Sequence, residues 1–414
     1  MKQVLLIACF ALLSVSCAVE GNRYSYNAKV VNEKKRAIIF LHGYYGANLS
    51  RKTDSSRLWL TLPEALWRKN TVARAESDLG IDGAEPLVED GIFLRVPVIP
   101  HLYSIDAYGG TLDWLAKEFP DALVVPFAYD WRDDNRIAAK NLSILVSRLK
   151  ADGIQTVSLV AHSMGGLVVS YYLRYGSETS DNAEENWQGA NEIDHVVMAG
   201  VPFRGTMHLL RNIHQGVKIG INRTLVKPEA VASFPSSYQI LPTESGKVLD
   251  GKLKAIAQDP REAGWWEKEK FGYDSLSPVS EELIARRRAF TRQALESGKA
   301  FMDKIHHESA IASPKPATKI LTIVGTTRKT IDKVVWLDSM QKLLFTDKDF
   351  QDARLPYKLQ DLQTDGDESV TRESARLPKS FQNKLESAEF LTEAPHSDIY
   401  QDVKVREKVV EFLR

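Results

Sequence analysis

The chain has almost no cysteine. There are two in 414 residues, Cys9 and Cys17, and both fall within the first seventeen positions. Everything after them is therefore built without a disulfide framework. An excess of one charge is missing as well: 54 Lys and Arg balance 54 Asp and Glu. Such a chain generates no long-range field that would gather nucleic acid, so no nucleic-acid partner is expected. Past the first residues no apolar run is long enough to span a bilayer. Internal repeats and low-complexity tracts are absent, and no metal-ligand cluster stands out. What remains is a globular composition, 43% hydrophobic and 26% charged, with room for one large α/β domain carrying insertions.

The two cysteines belong to a leader-like segment. Lys2 supplies a thin positive charge, and Val4 to Leu13 form an apolar stretch too short to cross a membrane. Ser14-Val15-Ser16-Cys17 follows. Ser16 suits the small position before a lipid-bearing cysteine, while Ser14 stands where a large aliphatic residue is usual. A cysteine kept only at this junction reads as a lipidation site, Cys17. The competing reading is cleavage after Ala18, which would give a freely secreted protein. The expected organisation is an export and lipoprotein signal over 1–17, a tether over 18–35, and one domain over 36–414.

Strand-like and helix-like segments alternate along that domain, which predicts a mostly parallel, doubly wound sheet. Buried-strand runs occur at 37–41, 123–126, 156–160, 195–199 and 319–324. Helical spacing over 135–149 places Ile137, Leu142, Leu145, Val146 and Leu149 on one face. Residues 390–391 open the last connection, and 403–413 close the chain as a helix. About 120 residues separate the strands at 195–199 and 319–324, far more than one crossover needs. They predict a large, mainly helical cap or lid over about 203–316, with a long helix over 281–305. Trp265-Trp266 in this cap either line an acyl pocket, touch a membrane, or simply pack inside it. A second, charged insertion over 325–364 carries Trp336 and receives no role.

The most informative segment is Ala161-His162-Ser163-Met164-Gly165-Gly166, between the strand at 156–160 and an apolar helical run. Strand, small-x-Ser-x-Gly turn, then helix is the context of a nucleophile elbow. A serine hydroxyl is a weak nucleophile, so it must be aimed at a base and at the electrophile together. Ser163 is the expected nucleophile. On such a sheet the acid and then the histidine follow later in the chain. Of nine histidines only His396 lies beyond the strand at 319–324, so topology selects it as the base. The acid is less determined. Asp367 in Thr364-Asp365-Gly366-Asp367-Glu368 is preferred, with Asp365 second, and spacing does not separate them from Asp338 or Asp361. A developing oxyanion needs two backbone N–H donors. The amide of Met164, after the nucleophile, and that of Tyr44, in His42-Gly43-Tyr44-Tyr45-Gly46, are the expected pair.

Taken with Trp59, Asp106-Ala107-Tyr108-Gly109, Tyr129-Asp130-Trp131-Arg132, Gly200-Val201-Pro202-Phe203-Arg204-Gly205-Thr206 and Gly366-Asp367-Glu368-Ser369-Val370, these features resemble the lecithin:cholesterol acyltransferase family. That group of α/β-hydrolases includes the lysosomal phospholipase/transacylase. The resemblance implies an α/β-hydrolase fold, Asp367 as the triad acid, and a lid over roughly 207–236. It also brings Trp59, Trp131, Arg132 and Phe203 forward as substrate or lid contacts. His42-Gly43 stands where the family often has Pro-Gly, and the lid region has no cysteine for the disulfide of the animal enzymes. The expected function is a lipid acyl hydrolase or acyltransferase working through an acyl-serine, at a membrane surface, without metal or cofactor. A carboxylesterase or thioesterase for small esters is the alternative within catalysis. A binding protein on a hydrolase scaffold is the alternative outside it.

Overall fold

A computed structural model describes residues 34–60, 72–81, 84–99, 103–219, 222–257, 259–275, 280–309 and 316–414. The leader, Cys17 and most of the tether lie outside the described residues. The elements that frame the site are strand β1 (Arg36–Leu41), helix α1 (Gly109–Glu118), β2 (Ala122–Phe127), α2 (Asn135–Ala151), β3 (Thr156–His162), α3 (Met164–Tyr175), β4 (His195–Ala199), α4 (Met207–Gln215), α5 (Glu281–His306), β5 (Lys319–Gly325), β6 (Glu386–Thr392) and α6 (Val403–Leu413).

The six strands form one all-parallel sheet in the order β6-β5-β4-β3-β1-β2. A strand covered on both faces is apolar throughout, and β1 shows this directly. Ala37, Ile39 and Leu41 join one core with α2, α3 and the cap, whereas Ile38 and Phe40 join the other core with α1 and α6. The expected strands are all present. β6 is the exception, where a connection was expected to open. Its sequence, ESAEFLT, is exposed at most positions because it lies at the sheet edge, so it carries no apolar pattern to read. Helix α2 runs as predicted, but Ile137 is exposed while the neighbouring Ala138 and Ala139 are buried.

Register lines up the carboxyl ends of the strands, where ligands bind in open α/β sheets. Leu41 pairs with Ala161, and His162 with Ala199. Thus the residues after β1, β3, β4 and β5 emerge along one rim.

The chain between β4 and β5 contains α4, a short hairpin (Val217–Ile219 with Asn222–Val226), the short helices Pro228–Ala232 and Pro235–Tyr238, and the long helix α5. Ser280 caps α5 by accepting from Leu283 N–H, and Glu281 and Glu282 favour its first turn. Two buried arginines clasp α5 to the core helices. Arg136 of α2 donates to the Ser297 carbonyl, and Arg174 of α3 donates to the Ile305 and His307 carbonyls while pairing with Glu185. The second insertion is part of the same body. Val334–Leu337 pairs with Val248–Leu249 of the cap, and Trp336 donates to Glu269. Trp265 and Trp266 are both buried in the aromatic cluster around Phe271, with Trp265 also against Trp336, which is the packing reading of that pair.

Candidate active site

Ser163 occupies the turn between β3 and α3 with φ 52° and ψ −126°, a strained conformation for a residue with a side chain. Tight packing holds it there. A Cβ on Gly166 would lie 2.1 Å from Val201 Cγ2, so a larger residue cannot follow the turn. A Cβ on Gly43 would lie 2.8 Å from Ser163 Cβ, so the loop after β1 runs directly beside the serine.

Asp367 and His396 come from two different late segments. Arg328–Ile331 pairs antiparallel with Gln363–Gly366, and that ladder presents the next residue, Asp367. His396 opens a short turn after β6. The two meet with Nδ1 of His396 2.8 Å from Oδ2 of Asp367. The other carboxylate oxygen accepts from the Ser369 and Val370 amides at 3.0 and 2.7 Å. Burial alone would raise this carboxyl's pKa, but the histidine and the two amides outweigh it and hold it below the usual value. Among the other acid candidates, Asp365 pairs with Lys329 at the surface, Asp361 caps a short helix, and Asp338 neighbours Glu269. Among the described residues none of those three bonds to His396.

His396 is pinned at nearly every polar atom. Its N–H donates to the Asp367 carbonyl at 2.8 Å, and its own carbonyl accepts from His162 Nε2 at 2.9 Å. Only Nε2 has no partner among the described residues. The amides of Tyr44 and Met164 likewise donate to no group among the described residues, whereas the Gly43 amide is taken by Tyr108 Oη.

The cap touches this rim on two sides. Tyr44 Oη is 2.6 Å from Ser237 Oγ, and Thr206, which caps α4, donates to the Ser369 carbonyl at 2.6 Å. Tyr45 Oη and His208 Nε2 are buried there without a hydrogen-bond partner among the described residues. A cavity of about 240 Å³ lies elsewhere, lined by Lys52, Arg74, Glu89, Asp133 and others. Its mixed charges and the absence of all three candidate residues set it apart from an acyl pocket.

The residues brought forward by resemblance serve as internal posts. Trp131 is buried and donates to the Ala47 carbonyl at 3.0 Å, and Trp59 donates to the Tyr45 carbonyl at 3.2 Å. Arg132 is buried, makes a two-pronged bond to Asp130, and donates to the Val72 carbonyl. Phe203 is buried, with its carbonyl against His306. Trp59 and Trp131 brace the loop that follows β1, and Phe203 borders the long helix α5. The guanidinium of Arg132 is turned inward to Asp130 and to the Val72 and Ala73 carbonyls.

Sequence reading missed the histidines inside. His162, which the sequence assigned no role, lies 4.8 Å from His396, ring to ring, and hydrogen-bonds its carbonyl. His42 stacks on Tyr129 at 4.1 Å. Burial drives His42 down to about 4 and His162 down to about 3, so both are neutral near pH 7. The His-Gly and His-Ser pairs were visible, but which way each ring turns depends on tertiary packing.

The lecithin:cholesterol acyltransferase family model matches residues 112–312, a span that holds Ser163 but neither Asp367 nor His396. No curated protein matches the chain. Among solved structures, the Tle4-Tli4 complex aligns over 92% of this chain and 98% of its own, with TM-score 0.54 and 14% identity. The mature form of Bacillus licheniformis lipase BlEst2 aligns over 91% and 92%, with TM-score 0.36 and 13% identity. The parallel sheet and the elbow turn give the chain an α/β-hydrolase fold, and the match over residues 112–312 makes it similar to the lecithin:cholesterol acyltransferase family.

Proposed function

We propose that the chain is a serine acyl hydrolase or acyltransferase acting on lipid esters. The observation that carries this reading is the pinned imidazole of His396: among the described residues every polar atom is engaged except Nε2, the one a serine nucleophile needs. In this mechanism Nε2 takes the proton from Ser163 Oγ as the oxygen attacks the ester carbonyl carbon. Asp367 keeps the proton on Nδ1 and stabilises the imidazolium. The amides of Tyr44 and Met164 receive the oxyanion. As the tetrahedral intermediate collapses, the C–O bond to the alcohol breaks and His396 protonates the departing oxygen. Water or an acceptor alcohol then loses its proton to His396 and attacks the acyl-serine, releasing acid or a new ester and restoring Ser163.

The lipid part of the reading rests on the family match and on the large cap over the rim. Anchoring through Cys17 is part of the same proposal and concerns residues outside those described. No helix among the described residues is long and apolar enough to cross a membrane. Cys17→Ser should therefore move the protein from the detergent phase to the aqueous phase without changing turnover of dispersed short esters. Partition of the wild type into the aqueous phase would remove the anchor.

The test of function is turnover of a long-chain phospholipid and of a matched short-chain ester, by wild type and Ser163→Ala. The wild type should prefer the long chain, and the variant should lose on the order of 10⁴-fold or more in kcat. Turnover of only the short ester would favour a small-molecule esterase. A folded Ser163→Ala with near-normal turnover would overturn the reading, and a wild type that turns over neither substrate would favour a binding protein.

A further inference from the structure

Three hydrogen bonds join the oxyanion loop to the base through side chains that touch no substrate in the mechanism above. Gly43 N–H lies 3.0 Å from Tyr108 Oη, Tyr108 Oη lies 2.8 Å from His162 Nδ1, and His162 Nε2 lies 2.9 Å from the His396 carbonyl. Their directions are forced. A backbone N–H only donates and a carbonyl only accepts. His162 is neutral because burial holds its pKa near 3, so one ring nitrogen donates and the other accepts. Nε2 faces the carbonyl and must donate. Nδ1 must then accept, so Tyr108 donates to it and accepts from Gly43. Burial keeps the Tyr108 phenol protonated, as this requires. The chain ends in backbone at both sides, with every donor matched to an acceptor.

We infer that Tyr108 and His162 form a positioning relay that sets the oxyanion loop and the base histidine relative to each other. One end fixes Gly43, beside Ser163 and immediately before the amide of Tyr44. The other end holds the His396 carbonyl, while Asp367 holds its Nδ1 and its backbone N–H, so the imidazole is located by contacts from two residues. The relay rests on the functional reading above and names two further residues for it. Neither touches the reacting atoms. Their effect is to hold Nε2 and the Tyr44 amide where the transition state needs both, an alignment whose loss lowers kcat more than substrate binding.

Tyr172 is the internal control. It is a buried tyrosine on α3, its hydroxyl donates to the Glu192 carboxylate at 2.6 Å, and it lies outside the relay. The experiment measures kcat and KM on a dispersed short-chain nitrophenyl ester, with melting temperature, for wild type, Ser163→Ala, Tyr108→Phe, His162→Gln, the Tyr108→Phe/His162→Gln double variant and Tyr172→Phe. Tyr108→Phe should lose about 10- to 100-fold in kcat with KM within about twofold, and Tyr172→Phe should keep kcat within about twofold even if its melting temperature falls as far. His162→Gln should show the same pattern as Tyr108→Phe, and the double variant should lose no more than the larger single loss.

A folded Tyr108→Phe with wild-type kcat overturns the relay, and so does a double variant whose losses multiply. If Tyr108→Phe does not fold, a folded His162→Gln with wild-type kcat overturns it as well. In these cases serine-dependent turnover by the wild type leaves the functional reading standing. A wild type without serine-dependent turnover overturns both.

Discussion

Asp367 and Asp365 stand two residues apart, and the fold gives them opposite environments. Asp367 is buried between His396 and two backbone amides, while Asp365 pairs with Lys329 at the surface. Asp367→Asn should thus lose on the order of 10³- to 10⁴-fold in kcat, because an amide no longer fixes the tautomer of His396. Asp365→Asn should stay within about twofold, since exposed pairs contribute little. Steady-state kinetics on both variants checks this, and equal losses would contradict the placement of the acid. Gly43 gives a second residue-scale expectation. Its added Cβ would meet Ser163 Cβ at 2.8 Å, so Gly43→Ala must push the oxyanion loop or the nucleophile aside. The expected result is a kcat lowered by at least about tenfold with KM little changed, and wild-type kinetics would show that the loop has room.

Elements with strong apolar patterns were legible in the sequence. β1, β3, β4, β5, α2 and α5 appear at or within a few residues of their expected places, because buried strands and amphipathic helices write their period into the chain. β6 was not legible, since an edge strand exposed at most positions needs no such pattern. The candidate site was legible in its parts. Ser163 stood out by motif, His396 by topology, and Asp367 by an acidic turn that geometry then separated from its neighbours. The supporting set was not legible: nothing in spacing links Tyr108 to His162, or turns Arg132 inward. Nor did the sequence show that the second insertion completes the cap's core through Trp336. The clasp between α3 and α5 yields a prediction of its own. Arg174 is fully buried against Glu185, itself nearly buried, and also serves two carbonyls at the end of α5. Arg174→Met takes away the cationic partner of that carboxylate, which keeps only the Ser309 hydroxyl, and leaves the Ile305 carbonyl with the Ser380 hydroxyl alone, and should cost about 3–5 kcal/mol of stability. Denaturant unfolding measures it, and a loss well below 1 kcal/mol would mean that the cap is held by other contacts.

Across the whole molecule, buried neutral histidines couple folding to pH. His42 and His214 are lowered to about 4 and His162 to about 3, in each case chiefly by burial, against 6.5 in the unfolded chain. The native state stays neutral where the unfolded chain takes up protons. Their contribution is complete above about pH 6.5 and is lost as pH falls toward 4, at roughly 1.4 kcal/mol per pH unit for each histidine. Asp367, with its lowered pKa, adds a loss at more acidic pH, as its carboxylate is protonated in the native state. The denaturation midpoint should drop steeply between pH 6.5 and 4.5, and His214→Gln should make that slope shallower by about one proton. A flat midpoint across this range would contradict burial of the three rings. The central claim, that the elbow serine is an activated nucleophile, is tested most directly by intact-mass and peptide mapping after fluorophosphonate treatment of the folded protein. The account predicts one stoichiometric adduct, on Ser163, absent from Ser163→Ala and formed far more slowly in His396→Gln. An enzyme that turns over esters yet shows no adduct, or carries it on another serine, would contradict it.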